Sequence, residues 1–113
     1  MYTDFIIWHE KIRIYYYDAN SLCTTIDADS RLKTIHVKNH TQNLWKTAFG
    51  KNDSPSWEDF ISFLKERCIP QSRAGLTRYL DAINVPYYDP ILILQKTKGR
   101  MAEDDQWLEM ELS

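Results

Sequence analysis

The sequence predicts an α+β fold: an N-terminal antiparallel β-meander, two or three short helices and a closing C-terminal strand. Three observations predict it. Residues 11–38 alternate apolar and polar side chains with a period of two, interrupted by short polar turns, as half-buried antiparallel strands do. Residues 57–94 switch to apolar spacings of three and four, with Ser, Asp and Pro at helix-start positions. Residues 107–112 return to alternation. The 113 residues suffice for one core, so residues 1–113 read as a single domain, mainly β over 1–50 and mainly α with a final strand over 51–113.

The strands come first. Residues 5–8 are a short apolar run. In residues 11–17, Ile12, Ile14 and Tyr16 share one face, and Lys11, Arg13, Tyr15 and Tyr17 share the other. Residues 18–21 carry turn chemistry. Leu22, Thr24 and Ile26 alternate again, residues 27–30 suggest a second turn, and residues 33–38 point Ile35 and Val37 inward. Residues 39–53 read as a polar connection whose Leu44, Trp45 and Phe49 are expected to plug the core.

The helices follow. Ser54 or Ser56 caps the first, and with Ser56 as cap Asp59 completes a capping box. Trp57, Phe60, Ile61 and Leu64 form its apolar face, and Pro70 ends it by forcing Ile69 to be extended. The second is expected over residues 71–83, with Leu76, Tyr79, Leu80 and Ile83 on one face and Asn84 at its end. Asp89 and Pro90 start the third, which carries residues 91–94 and stops at Gly99. A bend over residues 102–105 leads to the last strand, with Leu108, Met110 and Leu112 inward.

Composition narrows the function. Hydrophobic residues make up 43% and net charge is −2, so no overall polarity selects nucleic acid or membrane. No apolar run approaches the ~18 residues of a membrane span, and the N-terminus lacks the pattern of a signal peptide. Cys23 and Cys68 have no metal or redox spacing and make no disulfide framework, so the expected setting is the reducing cytoplasm. His36 and His40 are four apart in a strand-to-loop segment, where that spacing does not bring two ligands together. Neither cysteine has a nucleophile signature with His9, His36 or His40. Three glycines rule out a glycine-rich phosphate loop. Asp104 and Asp105, beside Arg100, read better as a salt bridge than as a catalytic pair, and Arg67 reads as a structural clamp on carbonyls or on Asp89, Asp104 or Asp105. No enzymatic activity, cofactor or metal is expected.

Two surfaces are left as binding candidates. Residues 101–113 hold five acids and no base, whereas residues 65–100 hold seven Lys/Arg and three acids. The acidic arm either lies against the basic helices or faces a partner. A protein partner would meet Glu103, Asp104, Asp105, Glu109 and Glu111, together with Tyr15 and Tyr17, unless a helix packs over the tyrosines, which is the favoured expectation. Nucleic acid, the weaker alternative given a pI near 5.9, would meet Arg73, Arg78, Lys96, Lys98 and Arg100. In that reading the helices on either side of Ile69 and Pro70 outline a helix-turn-helix, with Gln71, Ser72, Arg73 and Arg78 on the second.

Residues 57–80 follow the pattern W-x-x-F-x-x-F-L-x-x-R-x-I-P-x-x-R-x-G-L-x-x-x-L. It continues as Tyr88-Asp89-Pro90, Lys96-Thr97-x-Gly99-Arg100-Met101 and Asp104-x-x-Trp107, and Trp8-His9-Glu10-Lys11-Ile12 precedes it. This resembles a small bacterial module found alone or ahead of HipA-like kinase domains, in toxin–antitoxin and mobile-element neighbourhoods. The resemblance implies no catalysis, because the sequence holds no nucleotide-binding loop. The expectation is a non-catalytic protein-binding regulatory module with an unidentified protein partner. Its exposed tyrosines are compatible with a homodimer. The alternatives are a phage or mobile-element inhibitor of a nucleic-acid-handling defence enzyme, such as a CRISPR effector, acting through the acidic arm, and helix-turn-helix-like DNA binding.

Overall fold

A four-stranded antiparallel sheet carries two helices on one face, and a third packs beside them. The computed structural model describes residues 10–101 and 104–112. The expected strand at 5–8, His9 and Glu103 lie outside the described residues. The elements are β1 (Lys11–Asp18), β2 (Ser21–Asp29), β3 (Thr34–Asn39), a 3-10 turn (Leu44–Lys46), α1 (Trp57–Glu66), α2 (Leu76–Ala82), α3 (Pro90–Thr97) and β4 (Gln106–Leu112). The strand order is β3-β2-β1-β4, so the meander is extended by the last strand, which pairs with the first.

The alternation predicted for β1 holds. Ile12, Ile14 and Tyr16 are buried against Phe60, Ile61, Phe63 and Leu64 of α1, Ile91 and Leu94 of α3, and Leu108 of β4. Burying each of these side chains contributes about 1.5–3 kcal/mol. Ile35 and Val37 pack on the same cluster. The smaller α2 packs beside α3 in a second cluster of Leu80, Val85 and Ile93. Ser56 caps α1 in a full capping box with Asp59, and Asp89 caps α3 ahead of Pro90.

Several expectations are corrected. The register between β1 and β2 slips between Tyr16 and Tyr17, so that Tyr16 faces Thr24 while Tyr17 faces Leu22. The bulge inserts Cys23 and breaks the Leu22–Thr24–Ile26 alternation. β2 runs on to Asp29, with Ala28 buried. The turn therefore falls after it, at residues 30–33, where the Asp29 carboxylate accepts from the Arg31 and Leu32 amides. α1 stops at Glu66, before Pro70, because Arg67 leaves the helical conformation as its C-cap. α2 begins only at Leu76. Gly75 before it has φ +72, a left-handed conformation that a continuous helix cannot pass through. Gln71, Ser72 and Arg73 therefore lie ahead of α2 rather than on it, and the nine residues 67–75 join α1 to α2 in place of a short turn. Of the expected core plugs, Phe49 packs on Phe63 at 5.5 Å, while Leu44 and Trp45 are exposed. The favoured covering of Tyr15 and Tyr17 is also absent: α1 and α3 take the opposite face, and among the described residues no helix lies over the tyrosines.

Candidate functional site

The side-chain network at one end of the sheet starts from Arg67. Where α1 ends, its side chain turns under the start of β4. Its Nε and Nη2 donate to the Gly99 carbonyl at 3.0 and 2.7 Å, and Nη2 donates to the Gln106 carbonyl at 2.8 Å. Nη1 and Nη2 donate to both oxygens of Asp104 at 2.9 and 3.2 Å. This is the expected clamp, two-pronged as arginine allows. The chain passes close here: Gly99 has φ +62, and a Cβ on it would meet Leu108 at 3.1 Å. The guanidinium holds the Asp104 carboxyl below the usual carboxylate range.

Gln106 relays the clamp outward. Its side-chain oxygen accepts from the Tyr16 hydroxyl, and its amide nitrogen donates to the Trp45 carbonyl at 3.3 Å. Burial pushes the Tyr16 hydroxyl up to about 12, so it stays a proton donor. Trp45 sits in the 3-10 turn with its side chain in solvent, 89% exposed. The turn itself is well fixed. The Asn43 side chain accepts from the Trp45 amide, the Thr47 hydroxyl donates to the Leu44 carbonyl, and Lys46 reaches Asp18 at 3.4 Å. The Thr24 hydroxyl accepts from the Ala48 amide. Leu44, Trp45, Gly50 and Lys51 line a shallow cavity beside the ring.

The sheet face away from the helices carries most of the other candidates. The Tyr15 hydroxyl donates to Glu111. Tyr17 stacks on Trp107 with ring centres 4.4 Å apart, and the Trp107 indole donates to the Ala19 carbonyl at 2.7 Å. Lys98 pairs with Glu109 at 3.6 Å, and the Arg100 guanidinium lies 4.8 Å from the Trp107 ring. Basic and acidic candidates that belonged to separate readings therefore meet around Trp107. Asp105 is exposed and gives its carbonyl to the Ala19 amide. Arg73 lies over Tyr79 at 4.7 Å, and Arg78 and Lys96 are exposed on α2 and α3.

No family model, curated protein or solved structure matches this chain. The chemistry must be read from the groups themselves. Among the described residues no three His, Cys, Asp or Glu side chains converge as metal ligands would. No helix of the described residues is long and apolar enough to cross a membrane. Cys23 is buried and donates to the Ser21 carbonyl. Burial pushes the Cys68 thiol up, away from the thiolate a nucleophile needs. His40 bonds the Thr25 hydroxyl at 2.8 Å.

Sequence reasoning missed two features. One is the exposure of Trp45, which the sequence places with Leu44 and Phe49 as a core plug. The other is the run over residues 30–52, which holds Arg31, Lys33, Lys38, Lys46 and Lys51 and no acid. The second is visible in a charge count, since residues 30–52 are the longest stretch without an acid.

Proposed function

We propose that the chain is a small non-catalytic protein-binding regulatory module whose protein partner engages the Trp45 turn. The observation that carries this reading is a tryptophan 89% exposed on a turn whose backbone is already fixed. An interface anchor of this kind loses little entropy on binding, and tryptophan is the residue type most enriched among interface hot spots. The two unpaired thiols fit a reducing cytoplasmic setting. The resemblance to the module that accompanies HipA-like kinases suggests a regulatory role in a toxin–antitoxin or mobile-element setting.

The inhibitor reading draws on Asp105, Glu109 and Glu111, which stay exposed, but loses Asp104 to the Arg67 clamp. The DNA-binding reading keeps Arg78 on α2 and the exposed Lys96, Lys98 and Arg100, but Gln71, Ser72 and Arg73 lie ahead of the helix expected to carry them.

The test is a pull-down from a lysate of the source organism, with and without nuclease, using the wild-type chain and Trp45→Ala in parallel. A discrete protein retained by the wild type in both arms and lost by Trp45→Ala is the expected result. A protein held equally by both chains would place the docking surface elsewhere. Nucleic acid alone, lost on nuclease treatment, would move the function to nucleic-acid binding.

A further inference from the structure

The outer face of the sheet orders its charges across the strands. One row reads His36, Asp27, Arg13 and Glu111 from β3 to β4, and the next reads Lys38, Thr25, Tyr15 and Glu109. His36, Lys38, Glu109 and Glu111 are exposed. His36 and Lys38 make one edge of the face basic; the other carries Glu109, with Lys98 at 3.6 Å beside it, and Glu111, which accepts from the Tyr15 hydroxyl, and the middle holds the Arg13–Asp27 pair at 2.6 Å.

We propose that a second copy of the chain packs on this face, about a two-fold axis running parallel to the strands between the two sheets. That axis exchanges β3 with β4 and β2 with β1. It sets His36 opposite Glu111 of the other copy, Lys38 opposite Glu109, and Arg13 opposite Asp27. Each contact occurs twice, as a two-fold interface requires. A two-fold axis running across the strands would instead lay β3 on β3 and β4 on β4, base on base and acid on acid. Face-to-face sheets stack ~10 Å apart with strands within ~30° of parallel, a separation that lysine and glutamate side chains span from either side. Tyr17 and Leu22, paired across β1 and β2, add apolar surface at one end.

Four strands of about seven residues cover roughly 450 Å², less than the ~800 Å² per partner of a stable complex. The dimer is therefore weak, and because its contacts are charged it is sensitive to salt. This surface shares no residue with the Trp45 turn, and the inference does not depend on the function proposed there.

Two variants test it: an acidic one with His36→Glu and Lys38→Glu, and a basic one with Glu109→Lys and Glu111→Lys. All four side chains are exposed; because the basic variant gives up the Lys98 and Tyr15 contacts, circular dichroism against the wild type first establishes that both variants are folded. Sedimentation in low salt would show the wild-type mass rising toward two chains as protein approaches ~1 mM, the range of a weak interface. Each variant alone stays at one chain, and an equimolar mixture of the two associates again. Salt at ~0.5 M, where screening is short-ranged, returns the wild type to one chain, and Trp45→Ala associates like the wild type. A wild type monomeric throughout, a variant that dimerises alone, or a mixture of folded variants that stays monomeric would each overturn the proposal. So would association indifferent to salt, or open-ended assemblies larger than a dimer.

Discussion

The arm over residues 104–112 is acidic and the run over residues 30–52 is basic, and the fold treats them differently. In the arm, Asp104 is gripped by Arg67, Glu109 faces Lys98, and Glu111 accepts from Tyr15. In the basic run only Lys46 has an acidic neighbour among the described residues, Asp18. Arg31, Lys33, Lys38 and Lys51 face solvent. A charge run shows its sign in sequence. Whether that charge is used within the fold depends on what the topology brings alongside.

The contrast can be tested by removing charges on each side. The largest effect is expected for Arg67→Met. It leaves the Gly99 and Gln106 carbonyls without the guanidinium that donates to them and leaves Asp104 only the Gln106 amide, and each buried carbonyl left unpaired costs about 1–3 kcal/mol. Urea denaturation measures it. A loss under about 1 kcal/mol would mean the clamp is decorative, and the two segments would no longer differ.

Asp104→Asn comes next, at about 1–2 kcal/mol for weakened charge-assisted bonds to a guanidinium that stays buried. Its pH dependence has a definite sign. The folded-state pKa of Asp104 is depressed, so its contribution is fully present above the unfolded carboxylate value. It is lost as pH falls through the folded one. The stability gap between wild type and variant should be flat from neutrality down to about pH 4 and close below that. A gap that widened in acid would assign the effect to something other than this pair.

The smallest effect belongs to the basic run. Lys38→Gln and Lys51→Gln should each shift stability by less than about 0.5 kcal/mol, as exposed and unpaired positions do. Thermal melts with a clear loss in either variant would show that the run is committed after all.

Features that depend on neighbours in sequence were legible, and those that depend on distant chain were not. The faces of β1 and β4 follow from alternation. The starts of α1 and α3 follow from Ser56 with Asp59 and from Asp89 with Pro90. The Cys23 bulge is a matter of register between two strands. The late start of α2 depends on Gly75 adopting a left-handed conformation, and Leu76 to Ile83 looks helical with or without the five residues before it. Arg67 could be assigned its role as a clamp, but choosing Asp104 from three acids required knowing where β4 docks. Trp45 and Leu44 are apolar residues in a connecting segment, and only their place in a short 3-10 turn, capped by Asn43, keeps them out of the core that Phe49 joins.

The pairing of β4 with β1 sets a schedule for synthesis. Tyr17 and Trp107 are partners across the sheet, so one side of β1 has no ladder until residues 106–112 have been made. While the ribosome extends the chain through three helices, the nascent protein displays an open strand edge next to its apolar residues. Completion of the fold is therefore a late, long-range event, slow by topology. It leaves a window in which a chaperone or a neighbouring nascent chain competes with β4 for the same edge.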